Sequence, residues 1–373
     1  MQTVDFLVVG AGMAGASIGA TLVAEASVLV VEREAQPGYH STGRSAAVFS
    51  ETYGPPQVQA LSRASRRFFE NPPDGFCDHP ILTDRGMIML AREGQSDSLD
   101  RFLDENRGTA RRLSADEVRR TVPIVRPDGL LGGASEPDCR DLAAAALHQG
   151  YLRLLRHRGG RLVADVALPS IVRDGEAWRV EFAGEAYAAG AIVNAAGAWG
   201  DEIARQCGVQ PLGLTPKRRT ALTVDAPPGL DVSAWPVVVD IDEEFYFKPE
   251  AGYLLLSPAD ATPSPPTDAQ AEEIDVATAI DRVQQAADIP VNRIRHRWAG
   301  LRTFAPDGVP VAGWDGDAEG FFWLVGQGGY GIQTAAALAE CAAALAMGAE
   351  ISQDMTDQGV DASRLSPSRF RKG

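Results

Sequence analysis

Hydrophobic and polar positions follow two different patterns along this chain. Residues 6–9 are apolar and β-prone, as expected for a strand buried on both faces, and residues 16–26 predict a helix after it. From residue 211 to about 294, short strand-like runs are separated by Pro, Gly and Asp turns with no helical segments between them, which is typical of an antiparallel sheet. From Trp298 the first pattern returns, and it ends in an Ala-rich helix over 334–347.

Further elements follow from local periodicity and turn signals. Residues 114–117 have the sequence of a capping box, so a second helix is expected to begin there within a charged helical segment. The turn signal at residues 84–86 indicates a hairpin. The predicted elements are a hairpin over 81–90, helices over 56–72, 99–122 and 141–158, and strands over 161–166, 178–182, 191–194, 221–225, 236–241, 244–248 and 253–257.

The first predicted strand runs into three glycines that precede the first helix. Gly10 permits a tight turn, Gly12 lets the backbone approach a pyrophosphate, and Gly15 lets the helix pack closely on the strand. Unpaired N–H groups and the positive end of the helix dipole would face the phosphates. A second strand over 28–31 ends at Glu32, whose carboxylate can accept hydrogen bonds from both ribose hydroxyls. The combination predicts a dinucleotide site, with a glycine-rich structural turn as the alternative.

A strand–helix–strand opening followed by an antiparallel region predicts a mixed architecture. The fold class expected is α/β, or α+β overall, with a Rossmann-like domain into which an antiparallel-sheet domain is inserted. The Rossmann-like domain would be discontinuous, over residues 1–75, 136–210 and 295–373, and the inserted domain would cover 76–135 and 211–294. A chain of 373 residues is long enough for two domains with separate cores.

Charge and cysteine usage exclude several classes of protein. The formal net charge is −15, from 50 acidic and 35 basic residues, which argues against nucleic acid or an anionic membrane as a partner. Cys77, Cys139, Cys207 and Cys341 show neither a CxxC pair nor metal-ligand spacing, so inert thiols in a reducing cytoplasm and no metal site are expected.

No segment for secretion or membrane insertion is expected. The first apolar run leads directly into the glycine turn, so no signal peptide is expected. The Ala-rich helix is interrupted by Glu340 and too short to span a bilayer, so we expect a cytoplasmic protein without an integral membrane segment.

Three further segments are rich in small residues and suit the same ligand. Residues 39–47 combine Ser, Thr and Gly with an arginine, and their N–H groups and hydroxyls leave room for a second part of a long ligand. The alternative is a capped helix start at Ser41 or Thr42. Residues 192–197 predict a buried strand that closes on small residues, and residues 326–333 are glycine-rich. The two glycine- or Ser/Thr-rich segments, 39–47 and 326–333, imply a ligand longer than a nicotinamide site needs.

Four ordered motifs resemble the D-amino-acid oxidase and glycine/sarcosine oxidase family of FAD enzymes. They are residues 10–15 with Glu32, residues 41–45, residues 194–199 and residues 300–313. Within that family, residues 32–47 and 328–334 most resemble the bacterial D-arginine dehydrogenases. The resemblance covers essentially the whole chain. It implies that the discontinuous domain binds FAD and that the inserted domain binds the substrate.

The resemblance also assigns the positions that would contact FAD. N–H groups of residues 328–333, which open a predicted helix, would stabilise negative charge on the flavin N1/C2=O edge. Residues 326–333 contain no cysteine for covalent attachment, so non-covalent FAD is expected. The expected contacts are Gly10, Gly12, Ala14, Gly15, Glu32, Arg33, Ser41, Thr42, Gly43, Arg44, Ser45, Ala46, Ala47, Val166, Ala196, Gly197, Trp199, Arg302, Gly328, Gly329, Tyr330, Gly331, Ile332 and Gln333.

Two arginines and two tyrosines supply the expected catalytic contacts. Oxidation of an amino acid by a flavin requires the protein to hold the carboxylate and to aim the α-hydrogen. A planar guanidinium suits a carboxylate, and the resemblance gives Arg219 and Arg302 that role. A solvated strand edge is the alternative for Arg219, and strand alternation places Arg218 on the opposite face. By the same resemblance, Tyr53 and Tyr246 correspond to pocket tyrosines that would hydrogen-bond the amine or the carboxylate; a half-buried tyrosine satisfying a backbone group is the alternative.

The expected substrate pocket departs from that of the D-arginine dehydrogenases. Met87 stands at the position of the carboxylate that grips the guanidinium of D-arginine, and methionine cannot make a charge-assisted bond. Val48 replaces a histidine and Val237 replaces a methionine, so the pocket is more apolar. Glu243 would lie in a loop over the site, although a plain solvated turn fits its neighbours equally well. The pocket positions are Val48, Ser50, Met87, Val237, Val239, Glu243, Gly329 (whose carbonyl would receive the substrate amine) and Gln333.

The pattern and the resemblance together predict FAD-dependent oxidative deamination of D-amino acids. A hydride would pass from the α-carbon to flavin N5, and the imino acid would hydrolyse to a 2-oxo acid and ammonia. Neutral or hydrophobic D-amino acids would be preferred over D-arginine, and a quinone or similar acceptor would take the electrons more readily than oxygen. The alternatives are a glycine- or sarcosine-type N-alkyl amino acid oxidase, an α-hydroxy-acid dehydrogenase and a non-catalytic FAD subunit of a hetero-oligomeric dehydrogenase.

Overall fold

The computed structural model describes residues 1–167 and 169–371. The domain limits expected from the sequence include residues 168, 372 and 373, which lie outside the described residues. The strands, numbered along the chain, are β1 (Gln2–Val9), β2 (Val28–Val31), β3 (Val48–Phe49), β4 (Leu82–Asp84), β5 (Met87–Arg92), β6 (Arg111–Ser114), β7 (Leu130–Glu136), β8 (Arg140–Leu142), β9 (Arg161–Val163), β10 (Ser170–Asp174), β11 (Ala177–Phe182), β12 (Glu185–Asn194), β13 (Thr215–Asp225), β14 (Val237–Asp240), β15 (Tyr246–Glu250), β16 (Tyr253–Ser257), β17 (Thr262–Pro263), β18 (Ile294–Phe304), β19 (Val311–Trp314), β20 (Phe321–Val325) and β21 (Gln327–Gly328).

The α-helices pack on these strands or connect them. They are α1 (Met13–Leu22), α2 (Pro56–Glu70), α3 (Ser96–Glu105), α4 (Ala115–Thr121), α5 (Ala144–His157), α6 (Gly200–Gln206), α7 (Glu273–Ala286), α8 (Ala335–Ala346) and α9 (Gln353–Asp357). Short 3₁₀ helices cover Gly197–Trp199, Ala362–Arg364 and Pro367–Phe370.

The first sheet runs in the order β10-β11-β12-β1-β2-β9, and β20 pairs with the end of β12 and with β19. Its central pairs, β12 with β1, β1 with β2 and β2 with β9, are parallel. Side chains alternate between two apolar layers, because Val8 packs towards α1, α5 and α8 while Leu7 packs on the other face with Trp178 and Tyr187. The predicted strands over 6–9 and 28–31 are confirmed, and α1 begins and ends earlier than expected.

The second sheet runs in the order β21-β18-β13-β16-β15-β14-β5-β7-β6, with β17 paired to β13. Its pairs are antiparallel except β14 with β5. Along β13, Leu222 and Val224 pack under α7 in an apolar core. Arg219 and Ala221 alternate with them and line a cavity on the opposite face. The predicted antiparallel region is confirmed, as is the mixed α/β fold class.

Three predicted elements are wrong in part or in full. Residues 81–90 do not form a hairpin, because β4 pairs with β8 while β5 pairs with β7 and β14 in the second sheet. The region 211–294 contains a helix, α7, whose apolar face consists of Val276 and Val283 with small alanines and is therefore weakly marked in the sequence. The expected helical segment 99–122 is interrupted by β6, although its second helix, α4, begins at the predicted capping box.

A third sheet has the order β3-β8-β4. In the chain, β3 and β4 precede β5 of the second sheet, and β8 follows β7. β18 belongs to the second sheet, whereas the sequence-based limit at residue 295 assigns most of it to the first domain. The division into two domains stays a prediction. Within residues 1–167 and 169–371, no helix has both the length and the apolar composition needed to cross a membrane.

Candidate active site

A long cavity is lined by residues of both the first and the second sheet. At one end lie the turn after β1 and the end of β2, and at the other end lie Arg219, Tyr246 and Arg302 of the second sheet. Because β1 and β12 are adjacent parallel strands, the segments that begin at Gly10 and Ala195 meet at the same edge of the first sheet. Open α/β sheets bind their ligands at this edge.

Gly10 and Gly15 stand where a side chain would collide with the backbone, and Gly12 leaves only tight space for one. Gly10 has φ +99°, and a Cβ there would lie 2.7 Å from the carbonyl oxygen of Ala195. A Cβ on Gly15 would lie 1.8 Å from the carbonyl oxygen of Gly10, so α1 packs directly on the turn. A Cβ on Gly12 would lie 3.3 Å from Oγ1 of Thr42. The backbone of the turn is therefore bare on the side that faces the cavity.

Glu32 is fixed at the end of β2 by two backbone amides. One carboxylate oxygen accepts from the N–H of Ala11 at 2.7 Å, and the other accepts from the N–H of Glu34 at 2.9 Å. Each oxygen retains a lone pair, and the residue lines the cavity. This geometry suits the acceptance of hydrogen bonds from ribose hydroxyls.

Residues 41–44 connect the glycine turn to the second sheet. Oγ1 of Thr42 accepts from the N–H of Met13 at 2.9 Å, and Oγ of Ser41 donates to the carbonyl oxygen of Leu301 at 2.6 Å. Arg44 pairs with Asp268, and its Nη1 also donates to backbone carbonyls of the neighbouring loop and of β18. Arg44 lines the cavity, but its guanidinium is already hydrogen-bonded and ion-paired to other residues of the chain.

His148 of α5 supports the glycine turn from behind. The residue is 3% exposed, and its Nε2 lies 2.8 Å from the carbonyl oxygen of Ala11, to which the neutral ring donates. A Cβ on Gly38 would lie 2.8 Å from the imidazole ring, so the ring is enclosed. Burial lowers the pKa of His148, although the hydrogen bond to Ala11 opposes that shift.

Acidification is expected to destabilise the protein partly through His148. Its pKa in the folded protein lies below the ordinary 6.5, so the unfolded chain binds a proton at a higher pH than the folded one does. The free energy of unfolding should therefore fall as the pH is lowered through about 6.5 towards the pKa of the folded state. Thermal unfolding at about pH 8 and about pH 5.5 should show a smaller acid-induced loss in His148→Gln than in the wild type. The exposed His79→Gln is the control, and equal pH dependence in all three proteins would contradict the assignment.

Arg219 and Arg302 lie on one face of the second sheet, on adjacent strands. Arg219 is directly opposite Gly300, so Arg302 is its diagonal neighbour on β18. Nε of Arg219 donates to the carbonyl oxygen of Asp260 at 2.7 Å. Nη1 of Arg302 donates to the hydroxyl of Tyr53 at 3.1 Å. In the described part of the chain, neither guanidinium has a carboxylate within salt-bridge distance, and two such cations at one cavity wall favour binding of an anion.

Arg218 differs from its neighbour in sequence. It forms ion pairs with Glu272 and Asp275 at the start of α7, the second at 2.8 Å. The predicted alternation along this strand is confirmed, because Arg219 alone of the two lines the cavity. Burial, followed by the nearby charge of Arg302, lowers the pKa of Arg219, and a bound anion would oppose both effects.

Two aromatic rings and a glycine surround Arg302. The ring centroids of Tyr53 and Tyr330 are 5.0 Å apart in an edge-to-face arrangement, and burial raises the pKa of Tyr330. A Cβ on Gly329 would lie 2.9 Å from Nη1 of Arg302. The backbone at Gly329 is therefore in close contact with the guanidinium, and its expected role as acceptor for the substrate amine stays a prediction.

The expected wall residues form one apolar cluster on the same face of the second sheet as Tyr246. Val239 is directly opposite Tyr246, and Val237 is directly opposite Met87. These residues pack with Val48 in an apolar cluster, and Met87 is directly opposite the buried Glu136 of β7. They lie beyond Tyr246 and do not line the cavity itself.

The remaining pocket positions lie outside the apolar cluster: Ser50 and Gln333 are buried and hydrogen-bonded to each other, and Glu243 is exposed. Gln333 is 3% exposed, its Oε1 accepts from the N–H of Ser50 at 3.4 Å, and its Nε2 donates to Oγ of Ser62 at 2.8 Å. Glu243 lies in an exposed turn with φ +57°. Their expected contacts with a substrate stay predictions.

The expected site residues divide into those that line the cavity and those that do not. The lining residues are Gly10, Gly12, Ala14, Glu32, Arg33, Ser41, Thr42, Arg44, Ser45, Ala46, Val166, Ala196, Gly197, Trp199, Arg219, Tyr246, Arg302, Gly328, Gly329, Gly331 and Ile332. The others are Gly15, Gly43, Ala47, Val48, Ser50, Tyr53, Met87, Val237, Val239, Glu243, Tyr330 and Gln333. The individual roles of both groups stay predictions.

Some polar residues of the cavity were not expected from the sequence. Tyr39 and His40 line it, and Nε2 of His40 lies 2.9 Å from a carboxylate oxygen of Glu34. Both belong to segment 39–47, whose small residues had already indicated contact with a ligand. Glu202 and Gln206 also line the cavity because α6 follows β12 directly, and nothing in their local sequence marks them.

The fold and the glycine turn are those of a dinucleotide-binding protein, and two arginines line the same cavity. Residues 5–345 match the model of the DAO family, described as FAD dependent oxidoreductase. The chain belongs to this family of enzymes, and FAD is its cofactor.

Curated relatives align with the chain, and solved structures share its fold. Glycine oxidase from Geobacillus kaustophilus (strain HTA426) is 24% identical over 340 residues, which cover 88% of this chain and 89% of that protein. L-2-hydroxyglutarate dehydrogenase from Escherichia coli (strain K12) is 26% identical over 221 residues, 56% of this chain, and the chain spans only 50% of that enzyme. The L-proline dehydrogenase structure from P. horikoshii has a TM-score of 0.85 at 17% identity, over 99% of this chain and 98% of that chain. The glycine oxidase structure from Geobacillus kaustophilus has a TM-score of 0.83 at 22% identity, with both chains covered completely.

The walls of the cavity fit FAD. Gly10 and Gly12 leave the backbone of the turn bare for a pyrophosphate, and Glu32 offers acceptors beside it. Gly331 and Ile332, just before α8, line the far part of the cavity near Arg302. Glu32 and these residues line one continuous cavity. The described lining includes no cysteine, and non-covalent binding stays a prediction.

Proposed function

We propose that this protein catalyses the oxidative deamination of D-amino acids with neutral or apolar side chains. The α-carbon loses a hydride and the amine nitrogen loses a proton, so that the carbon–nitrogen single bond becomes an imine. FAD, when bound, accepts the hydride and with it the two electrons. Water then hydrolyses the imine to a 2-oxo acid and ammonia. The observation that carries the proposal is the pair Arg219 and Arg302 on one wall of the cofactor cavity, neither of which has a carboxylate partner among residues 1–167 and 169–371.

The two guanidiniums are proposed to hold the substrate carboxylate. Arg302 uses one N–H group to donate to Tyr53, which leaves other N–H groups for a carboxylate. Since the Tyr53 oxygen accepts from Arg302, its own proton is available to the substrate. Fixing the carboxylate at these groups sets the position of the α-carbon, which is the main contribution that the chain makes to hydride transfer.

The apolar cluster next to Tyr246 supports the preference for uncharged side chains. Met87, Val237 and Val239 offer no group that could pair with a cationic side chain, and Val48 packs against them. Each further buried methylene of a substrate would be favoured by about 0.8 kcal/mol. The preference for D-configuration and for a quinone-like acceptor over oxygen rests on the resemblance of residues 32–47 and 328–334 to the bacterial D-arginine dehydrogenases.

Anaerobic mixing of the FAD-loaded protein with single amino acids tests this function. D-leucine, D-methionine and D-phenylalanine are expected to bleach the yellow flavin absorption, while their L-enantiomers leave it unchanged. The kcat/KM for D-leucine should exceed that for D-arginine at least about tenfold, because a cation in an apolar pocket without a partner is costly. Reoxidation by a soluble quinone should be faster than reoxidation by air.

Three results would contradict the proposal, and each points to a different alternative. A higher kcat/KM for D-arginine than for the neutral D-amino acids would show that the apolar cluster does not select against a charged side chain. Bleaching by L-amino acids would reverse the stereochemical assignment. No bleaching by any amino acid, with FAD demonstrably bound, would favour a non-catalytic FAD subunit.

Oxidation of glycine or N-alkyl amino acids is the second candidate. The observation that favours it is the glycine oxidase from Geobacillus kaustophilus, which aligns over 88% of this chain. The same carboxylate site serves both substrates, so the side-chain wall discriminates between them. Faster bleaching by glycine or sarcosine than by D-leucine, with rapid peroxide formation in air, would support this candidate.

A further inference from the structure

Glu136, the last residue of β7, has a buried carboxylate that has no part in the proposed reaction. The residue is 1% exposed, and no cation lies within salt-bridge distance of it in residues 1–167 and 169–371. Oε2 accepts from the hydroxyls of Ser50 at 2.8 Å and Thr52 at 2.6 Å, and Oε1 accepts from the N–H of Glu51 at 2.8 Å. Burial raises the pKa of Glu136, and these hydrogen bonds oppose the shift. The donors therefore compensate for much of the cost of burying the carboxylate.

All three donors belong to residues 50–52, a segment between two regular elements. β3 ends at Phe49 and α2 begins at Pro56. On its other side, Nε2 of Gln59 donates to the carbonyl oxygen of Thr52 at 3.1 Å. Side chains, rather than a strand ladder, thus fix the backbone of this segment, and Glu136 makes three of the contacts.

Tyr53 follows this segment directly. Its hydroxyl accepts from Nη1 of Arg302 at 3.1 Å, and its ring packs edge-on against Tyr330. Gly54, the next residue, has φ +94°, and a Cβ there would lie 2.9 Å from the ring of Tyr330. Residues 50–52 and Gly54 therefore determine together where the phenol of Tyr53 stands relative to the guanidinium.

We propose that Glu136 is a positioning residue, which holds Tyr53 against Arg302 through residues 50–52 and so orients the guanidinium for a carboxylate ligand. This inference rests on the proposed function, in which Arg302 binds the substrate carboxylate. Glu136 is also directly opposite Met87 on the pocket face of the second sheet. Residues 50–52 fill three of its four acceptor sites, and Oε1 retains one lone pair.

The test uses the FAD-loaded protein and a ligand that cannot be oxidised, 4-methyl-2-oxopentanoate, the 2-oxo acid expected from leucine. Its Kd is measured from the change in flavin absorption. Glu136→Ala is expected to raise this Kd about tenfold, the cost of a misplaced charged hydrogen bond. Glu136→Gln should raise it less, because the amide oxygen still accepts from Glu51. Hydrogen exchange of the peptide over residues 48–55 should quicken in the same order.

A double-mutant cycle separates positioning from general destabilisation. If Glu136 acts through Tyr53, then Glu136→Ala should change the Kd little further in a Tyr53→Phe background. Asp315→Asn is the matched control, since Asp315 is another buried carboxylate, which accepts from Trp323 at 2.9 Å in the first sheet. It should lower the unfolding temperature and leave both the Kd and the exchange of residues 48–55 unchanged.

The possible outcomes distinguish a failure of this inference from a failure of the proposed function. Normal binding of the 2-oxo acid by the wild type and by both Glu136 variants overturns the inference alone, and so does an additive effect of Glu136→Ala and Tyr53→Phe. A wild type that binds no 2-oxo acid and is bleached by no amino acid overturns the proposed function, and the inference with it.

Discussion

Replacing Arg302 with methionine is expected to lower kcat/KM for the preferred amino acid about a thousandfold, since truncating one partner of a buried charge pair costs several kcal/mol. Methionine keeps much of the volume but loses both the charge and the planar set of donors. Tyr53 would also lose the N–H that it accepts at 3.1 Å. Arg302→Lys should recover only part of the activity, because an ammonium is a point charge without the fork geometry. Steady-state kinetics with the amino acid from the anaerobic panel measures both variants.

The control for this prediction is Arg295→Met on the same strand. Arg295 is more exposed, and its Nε pairs with Asp225 at 2.7 Å, away from the cavity. It should leave kcat/KM within about twofold of the wild type, as expected of a surface ion pair. A small effect of Arg302→Met, with FAD content unchanged, would show that Arg302 does not hold the carboxylate.

Gly15→Ala is expected to yield a protein that retains little FAD and unfolds at a lower temperature. The added Cβ would lie 1.8 Å from the carbonyl oxygen of Gly10, so either α1 or the glycine turn must move. Overpacking of this kind costs about 1–3 kcal/mol of stability, and the displaced backbone no longer fits a pyrophosphate. The ratio of flavin to protein absorption after gel filtration, together with the thermal unfolding midpoint, measures the effect.

Gly316→Ala provides the matched glycine control. A Cβ at Gly316 would meet nothing within 4 Å, and its φ is outside the left-handed region. This variant should bind FAD normally and keep or slightly gain stability. Wild-type FAD content in Gly15→Ala would mean that the turn tolerates a side chain and that its close packing is not required for the cofactor.

The sequence predicted the parts of the site whose determinants are local. Gly10, Gly15 and Glu32 lie within one strand–helix–strand unit, so their spacing alone indicates the turn and the acidic end of β2. The opposite directions of Arg218 and Arg219 follow from the two-residue period of a strand, and the structure confirms them.

Elements with distant partners could not be predicted in this way. Residues 81–90 contain a good turn signal, but β4 and β5 belong to different sheets because β8 and β14 offer them better partners. Glu136 gave no signal at all, since its partners lie in the segment 50–52 on a distant part of the chain. The helix α7 was missed because its buried positions are mostly small.

The strand order of the first sheet also bears on the time at which the cofactor can be loaded. β1 leaves the ribosome first, but its neighbour β12 ends at Asn194, and β20, which pairs with the end of β12, covers Phe321–Val325. The glycine turn therefore lacks its surroundings until β20 has been synthesised, and pairing over such separations is slow. We expect nascent chains that stall before β20 to carry no flavin. FAD would then be bound only after β20 has been synthesised.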